Sequence, residues 1–257
     1  MGADILHREI WPSVRSARYH TRTTFRRTIM SVIAPLVGVF AGAAIGGALM
    51  ARASRQCRKP TDRAGRVVLQ RMNESHAAVT QWGLSHVEIG EDFTILDVGC
   101  GGGRTIDRLA SIATRGKVFG VDYSADSVAT ARETNATSIA QGRVAVEQAG
   151  VSQLPFPDTT FDLVTAVETH YYWPDLPRDV REVMRVLKPG GKLLIIAETY
   201  RGRRNDWLYR PTMTLVLRAA YLTPEQHRQL LVGAGSVDVQ VFEEKAKGWI
   251  CAVGTRR

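Results

Sequence analysis

The chain has 257 residues, 44% of them hydrophobic and 23% charged, with 23 Gly, 10 Pro and 3 Cys. That length carries one α/β domain plus an appendage, and the composition excludes a collagen-like, mucin-like or disulfide-stapled chain. The net charge of +9 is concentrated: residues 1–71 hold 13 basic and 3 acidic side chains, whereas residues 72–257 come to −1, so a basic leader precedes a neutral domain and points to a membrane surface, not to nucleic acid.

Residues 1–28 form that basic leader. From Ile29 to Met50 no residue is charged. As a helix this run is about 33 Å long, enough to cross a hydrocarbon core, so a transmembrane helix is expected at 29–51. Ala34, Gly38, Gly42 and Gly46 recur every fourth residue. Such a stripe lets two helix backbones approach, so a homodimer through Gly38, Gly42 and Gly46 is a further expectation. Arg26-Arg27 and Ala51-Arg52-Ala53 also resemble parts of a cleaved export signal. Arginines flank the run on both sides, and the positive-inside rule is nearly a tie. Translation from Met30 would remove the leader and hold the catalytic domain in the cytoplasm, with the protein membrane-associated. Translation from Met50 would give a soluble cytoplasmic protein.

Residues 52–66 are basic, contain Pro60 and Gly65, and read as a linker to a domain at 67–257. One or two short helices are expected over 67–83. Short β-branched runs then alternate with helical stretches. Strands are expected at Thr94–Val98, Lys117–Asp122, Arg143–Ala149, Phe161–Val167 and Lys192–Glu198. Helices are expected at Thr105–Ala113, Ala125–Gln141 and Leu176–Leu187. This alternation argues a parallel sheet covered on both faces. Residues 201–222, rich in Arg and aromatics, break the pattern and read as an insertion over the sheet. Thr223-Pro224 starts a helix that ends near Gly233 or Gly235. Val237–Glu243 and Trp249–Gly254 read as an antiparallel edge pair. Cys57, Cys100 and Cys251 make no CxxC pair, which suggests a reducing compartment, and no cluster has metal-ligand spacing.

The strongest signal is Ile95-Leu96-Asp97-Val98-Gly99-Cys100-Gly101-Gly102-Gly103. An apolar strand runs into a glycine turn, where the main chain can adopt positive φ and a ligand can approach it closely. The dinucleotide fingerprint GxGxxG would need glycine at 104, which is Arg. The next strand ends in Gly120-Val121-Asp122, and a carboxylate there can accept both ribose hydroxyls of a nucleoside. As a mere helix N-cap, Asp122 would have no such role.

With LDVGCGGG at 96–103, VFGVDYS at 118–124, LPFPDTTFDLV at 154–164 and REVMRVLKPGGKLLI at 181–195, residues 67–257 resemble the class I S-adenosylmethionine-dependent methyltransferases. The resemblance is closest to the type 11 group, which includes ubiquinone/menaquinone C-methyltransferases. It implies a doubly wound, seven-stranded, mostly parallel Rossmann-like sheet, preceded here by the N-terminal apolar helix. S-adenosylmethionine is the implied cofactor. Asp97 and the Gly99/Gly101 backbone would face its methionine part, Asp122 its ribose, and Tyr123 its adenine. Where relatives place an Asp for the adenine amino group this chain has Gly150, so adenine would be met by backbone at Gly150 and Val151, or by Gln148 or Ser152. Lys188-Pro189-Gly190-Gly191 would be a structural turn into the fifth strand.

The acceptor would sit beyond the fourth strand, at Glu168-Thr169-His170-Tyr171-Tyr172-Trp173. Glu168, His170 and Tyr171 are the catalytic candidates: His170 as general base, Glu168 for a cationic amine or the cofactor's own amino group, and Tyr171, with Tyr172 and Trp173, to enclose a methylammonium group or a flat ring. These residues equally suit closure of a cofactor pocket without chemistry. Asn73, His76 and Trp82 are lid candidates, and Tyr200 is expected in the same cleft. Trp207, Tyr209 and Met213 would shape acceptor choice, and His227 would face solvent. The expected activity is methyl transfer to a small-molecule or lipid-like acceptor on N, O or C, with no nucleic-acid partner. The alternatives are a non-catalytic, membrane-tethered cofactor-binding module and a nicotinamide-dependent oxidoreductase.

Overall fold

The computed structural model describes residues 75–257. The leader at 1–28, the apolar run at 29–51 with its Gly38, Gly42 and Gly46 stripe, the linker at 52–66, and Cys57 and Asn73 lie outside the described residues. Among the described residues, no helix is long and apolar enough to cross a membrane.

The elements in chain order are α1 (Ala77–Leu84), β1 (Thr94–Val98), α2 (Arg104–Ile112), β2 (Lys117–Asp122), α3 (Ala125–Thr134), α4 (Ala136–Ala140), β3 (Val144–Gln148) and β4 (Phe161–Val167). A single 3-10 turn at His170–Tyr172 follows, then α5 (Leu176–Val186), β5 (Leu187–Ala197), α6 (Asp206–Pro211), a π-helical turn at Thr212–Val216, α7 (Pro224–Gly233), β6 (Ser236–Glu244) and β7 (Trp249–Arg256). One seven-stranded sheet has the order β3-β2-β1-β4-β5-β7-β6. Its first five strands are parallel, and β7 runs antiparallel to both β5 and β6.

Alternation along the strands sends side chains to two covered faces. Leu194 and Ile196 of β5 join Ile95, Ile106, Leu109 and Val118 in a core under α1, α2 and α3. Leu193 and Ile195 join Leu96, Val164, Val180 and Val183 in a second core under α5 and α7. Burying each such aliphatic side chain contributes about 1.5–3 kcal/mol. The helices start where local chemistry satisfies their free N–H groups. The Asp175 side chain accepts from the Arg178 N–H to open α5. Thr223 and Gln226 form a reciprocal capping box on α7, with Pro224 in its first turn.

Two expectations are corrected. The helix expected over 125–141 breaks at Asn135, whose buried amide donates to the Ala131 carbonyl (2.8 Å) and the Gly103 carbonyl (3.0 Å), leaving the backbone at φ −108. The fifth strand starts five residues early, at Leu187, which pairs with Phe161; Lys188–Gly191 is a bulge within the strand before Lys192 pairs with Leu163. The insertion packs at the far end of β5 and the near end of β7, where Tyr200, Met213 and Tyr221 cluster with Tyr171, Ala197 and Ile250.

Candidate active site

The carboxyl ends of β1, β2 and β4 open onto one cavity of about 750 Å³, of the size that takes a drug-sized ligand. The turn after β1 lines it. Gly99 has φ +73, and a Cβ there would lie 2.6 Å from Thr169 Oγ1; both facts demand glycine. Gly103, at φ +81, is held against Ala131 of α3 in the same way. The turn feeds directly into α2, with Arg104 as its first residue and Arg104 and Arg108 on the cavity wall.

Asp122 closes β2 beside this turn. It is 8% exposed, and its carboxylate accepts from the Gly101 N–H (3.0 Å) and the Ser124 N–H (2.8 Å). Burial pushes its pKa up, and these two N–H groups oppose the shift. Ser124, not Asp122, caps α3. Asp97 lies 2% exposed at the base of the cavity and accepts from Thr165 Oγ1 at 2.6 Å. Burial raises its pKa to about 7; the Thr165 hydroxyl lowers it and the Asp122 charge adds to the rise. Gly99, Gly101, Tyr123, Gly150, Val151 and Ser152 line the same cavity, whereas Gln148 donates to the Tyr123 carbonyl at 3.2 Å. A Cβ added at Gly150 would meet open space.

Beyond β4, Glu168 sits at φ +59, rare for a residue with a side chain, and it lines the cavity. It accepts the Glu198 backbone N–H. Burial pushes its pKa well up, and the Glu198 charge adds to the rise. His76, on the cavity wall, has its Nε2 3.8 Å from Glu198 Oε1. Burial lowers the His76 pKa against the pull of Glu198. One ligand atom from each of His76, Glu168 and Glu198 lies within 4.8 Å of the others, so the fold assembles a set that sequence spacing did not offer. Glu198 is the member that sequence reasoning left without a role, although its place at the end of the fifth strand is a usable signal.

The two other catalytic candidates are corrected. His170 is 0% exposed and absent from the cavity wall; its ring turns away to meet His227, with the two Nε2 atoms 3.4 Å apart. Burial, then the His227 charge, holds its pKa well down. Tyr171 is buried too, its hydroxyl donating to the Thr199 carbonyl at 2.8 Å. A 3-10 turn moves about 120° per residue, so adjacent side chains must diverge. Tyr172 and Trp173 take the cavity side, and Thr169 joins them, accepting from Trp173 Nε1 at 2.8 Å. His227 is not solvent-facing but 1% exposed, with its Nδ1 2.8 Å from the Thr223 carbonyl. Tyr200 and Met213 are buried outside the cavity wall, Trp82 packs edge-on to His86, and Trp207 is exposed.

The first of five parallel strands turns through glycines and the second ends in a buried carboxylate facing the same cavity, the layout of a ligand cleft at the carboxyl edge of an open sheet. Residues 96–195 match the family described as methyltransferase domain. A 27-O-demethylrifamycin SV methyltransferase of Amycolatopsis mediterranei (strain S699) is 33% identical over 150 residues, covering 58% of this chain and 49% of that protein. A 2-phytyl-1,4-naphtoquinone methyltransferase of Nostoc punctiforme is 39% identical over 104 residues, covering 40% and 45%. The chain spans about half the length of the curated relatives it matches. A SAM-dependent methyltransferase structure from Aquifex aeolicus has the same fold, with TM-score 0.61, 21% identity, and coverage of 74% of this chain and 98% of that one.

Proposed function

We propose that this protein transfers a methyl group from S-adenosylmethionine to a small-molecule or lipid-like acceptor. The observation that carries the reading is one cavity shared by Asp122, the Gly99–Gly103 turn and Glu168. The residues fit the cofactor: a turn of glycines lines the cavity without side chains of its own, and Asp122 keeps lone pairs beyond its two internal hydrogen bonds. Asp122 holds the ribose, Tyr123 packs beside the adenine, and Gly150, Val151 and Ser152 border that ring. Asp97 offers a carboxylate to the positively charged methionine end. The bound cofactor supplies a methyl on a sulfonium, already activated for in-line displacement.

The chain's remaining task is to position the acceptor and take its proton. Glu168 suits that task. A carboxyl group raised by burial and by a neighbouring carboxylate is a better base than a free one. The Glu198 backbone N–H holds it, His76 faces the Glu198 carboxylate, and Tyr172 and Trp173 offer flat walls for an acceptor. The acceptor atom is N, O or C. The names of the relatives, a quinone and a rifamycin methyltransferase, favour a small organic acceptor. The cytoplasm, where the cofactor is made, is the proposed location of this domain.

The test is transfer of labelled methyl from S-adenosylmethionine to a cell extract, paired with calorimetry of the cofactor. Binding with transfer is expected. Binding without transfer would leave a non-catalytic module, and heat with a nicotinamide cofactor instead would sink the reading. Glu168→Gln should lower kcat by about 10²-fold or more with cofactor affinity kept; an unchanged kcat would remove Glu168 as the base.

A further inference from the structure

We propose that the insertion between β5 and α7 docks the domain on an anionic lipid surface through residues 204–218. The proposal stands apart from methyl transfer and rests on a different part of the molecule. Trp207 is 73% exposed, Leu208 54% and Leu215 76%, three of the five large hydrophobic side chains most open to solvent among the described residues. Pro211, also exposed, lies between them. Leu208, Pro211 and Leu215 are spaced i, i+3 and i+7, which aligns them along one side of α6 and the π-helical turn after it.

This stripe is not a core face turned outward by accident. The same segment has its own anchor on the opposite side. Met213 and Tyr221 are buried, the Tyr221 hydroxyl donates to Asp206 at 2.6 Å, and the Ala220 N–H donates to the Tyr171 carbonyl at 2.9 Å. The outer side chains therefore have no place in the domain's own packing.

Charge selects the occupant. Residues 201–222 hold five arginines and one acidic residue, Asp206, which Tyr221 already engages. Arg204, Arg210 and Arg218 are exposed and flank the apolar stripe, and none forms an ion pair with a described residue. A tryptophan and leucines that protrude between guanidinium groups suit an interface where apolar tips enter the acyl boundary and cations meet lipid phosphates. An acidic protein would satisfy the cations, yet a tryptophan and two leucines 54–76% exposed suit a fluid surface better. The insertion backs onto the 170–172 turn, whose Tyr172 lines the cavity, so docking would bring the cavity wall beside the lipid.

The test is hydrogen–deuterium exchange of the full chain with vesicles of phosphatidylcholine alone or of equimolar phosphatidylcholine and phosphatidylglycerol. Reading the peptide spanning 204–218 separates this surface from any binding through residues 29–50. Protection of that peptide is expected on the anionic vesicles only. Arg204→Gln, Arg210→Gln and Arg218→Gln should each weaken anionic-vesicle affinity about fivefold. Trp207→Ser with Leu215→Ser should abolish the protection while the melting temperature stays unchanged, since both side chains are solvent-exposed. Equal protection on neutral vesicles would overturn the proposal. So would an unprotected segment on chains that sediment with anionic vesicles, as an acidic protein partner would leave it.

Discussion

Replacing Asp122 by Asn keeps the side chain's shape and removes its charge. The carboxylate accepts two backbone N–H groups, from Gly101 at 3.0 Å and from Ser124 at 2.8 Å, each through its own oxygen. An amide has one acceptor oxygen, so one of these N–H groups must then face an NH₂. An unsatisfied buried donor costs about 1–3 kcal/mol. In a domain of this size each kcal/mol lowers the melting temperature by about 2–4 °C. The same substitution removes charge-assisted hydrogen bonds to the ribose, so cofactor binding should weaken by about 1–3 kcal/mol, or roughly 5- to 150-fold. Calorimetric titration measures the affinity, circular dichroism checks that the sheet is intact, and a thermal melt measures the stability loss. The two effects need not track each other. A variant that melts lower but binds S-adenosylmethionine within twofold of the parent would show that Asp122 merely ties the Gly101 turn to α3, and the cofactor assignment would fail.

Asp97, with its pKa near 7, should make cofactor affinity pH-dependent. A positively charged ligand favours the ionised carboxylate, so binding should be flat above pH 7 and fall by up to tenfold per unit below it, with proton release measurable by calorimetry in buffers of differing ionisation enthalpy. Gly150→Asp has room for its side chain and should tighten binding of S-adenosylmethionine relative to analogues that lack the adenine amino group, as competition titrations would show. His227 is buried with its pKa lowered to about 4. Below pH 6.5 the unfolded chain takes up a proton that the folded chain refuses, so stability on the order of 3 kcal/mol should be lost as pH falls from 6.5 to 4. His227→Phe should flatten that part of a denaturation–pH curve. His170→Gln should leave the pH profile of kcat unchanged, because no part of its ring reaches the cavity.

Much of the framework is readable from side-chain chemistry. Thr94–Val98, Lys117–Asp122 and Phe161–Val167 have the expected ends because apolar, β-branched runs stop at glycine or acidic residues. The α7 start at Thr223-Pro224 is equally legible, since a cap is a local matter. The break at Asn135 is not, because it depends on the Gly103 carbonyl, 32 residues away. The 168–173 stretch fails for a related reason. Six residues rich in polar and aromatic groups cannot reveal which sides of a single turn face a cavity; Glu168 lies on the cavity wall, and His170 and Tyr171 do not. His227 did carry a signal: it lies four residues before the fully buried Leu231 and so shares its side of α7.

The direction of β7 has a practical consequence. Because this strand runs against its neighbours, Ile250 lies beside Ala197 near the cavity, whereas Thr255 lies beside Lys192 at the opposite border. A handle fused after Arg257 would therefore leave from the far side of the molecule. Molecules tethered to a sensor chip or resin by that handle would all present the cleft to the flowing solution, and any loss of ligand response could be charged to the cleft itself.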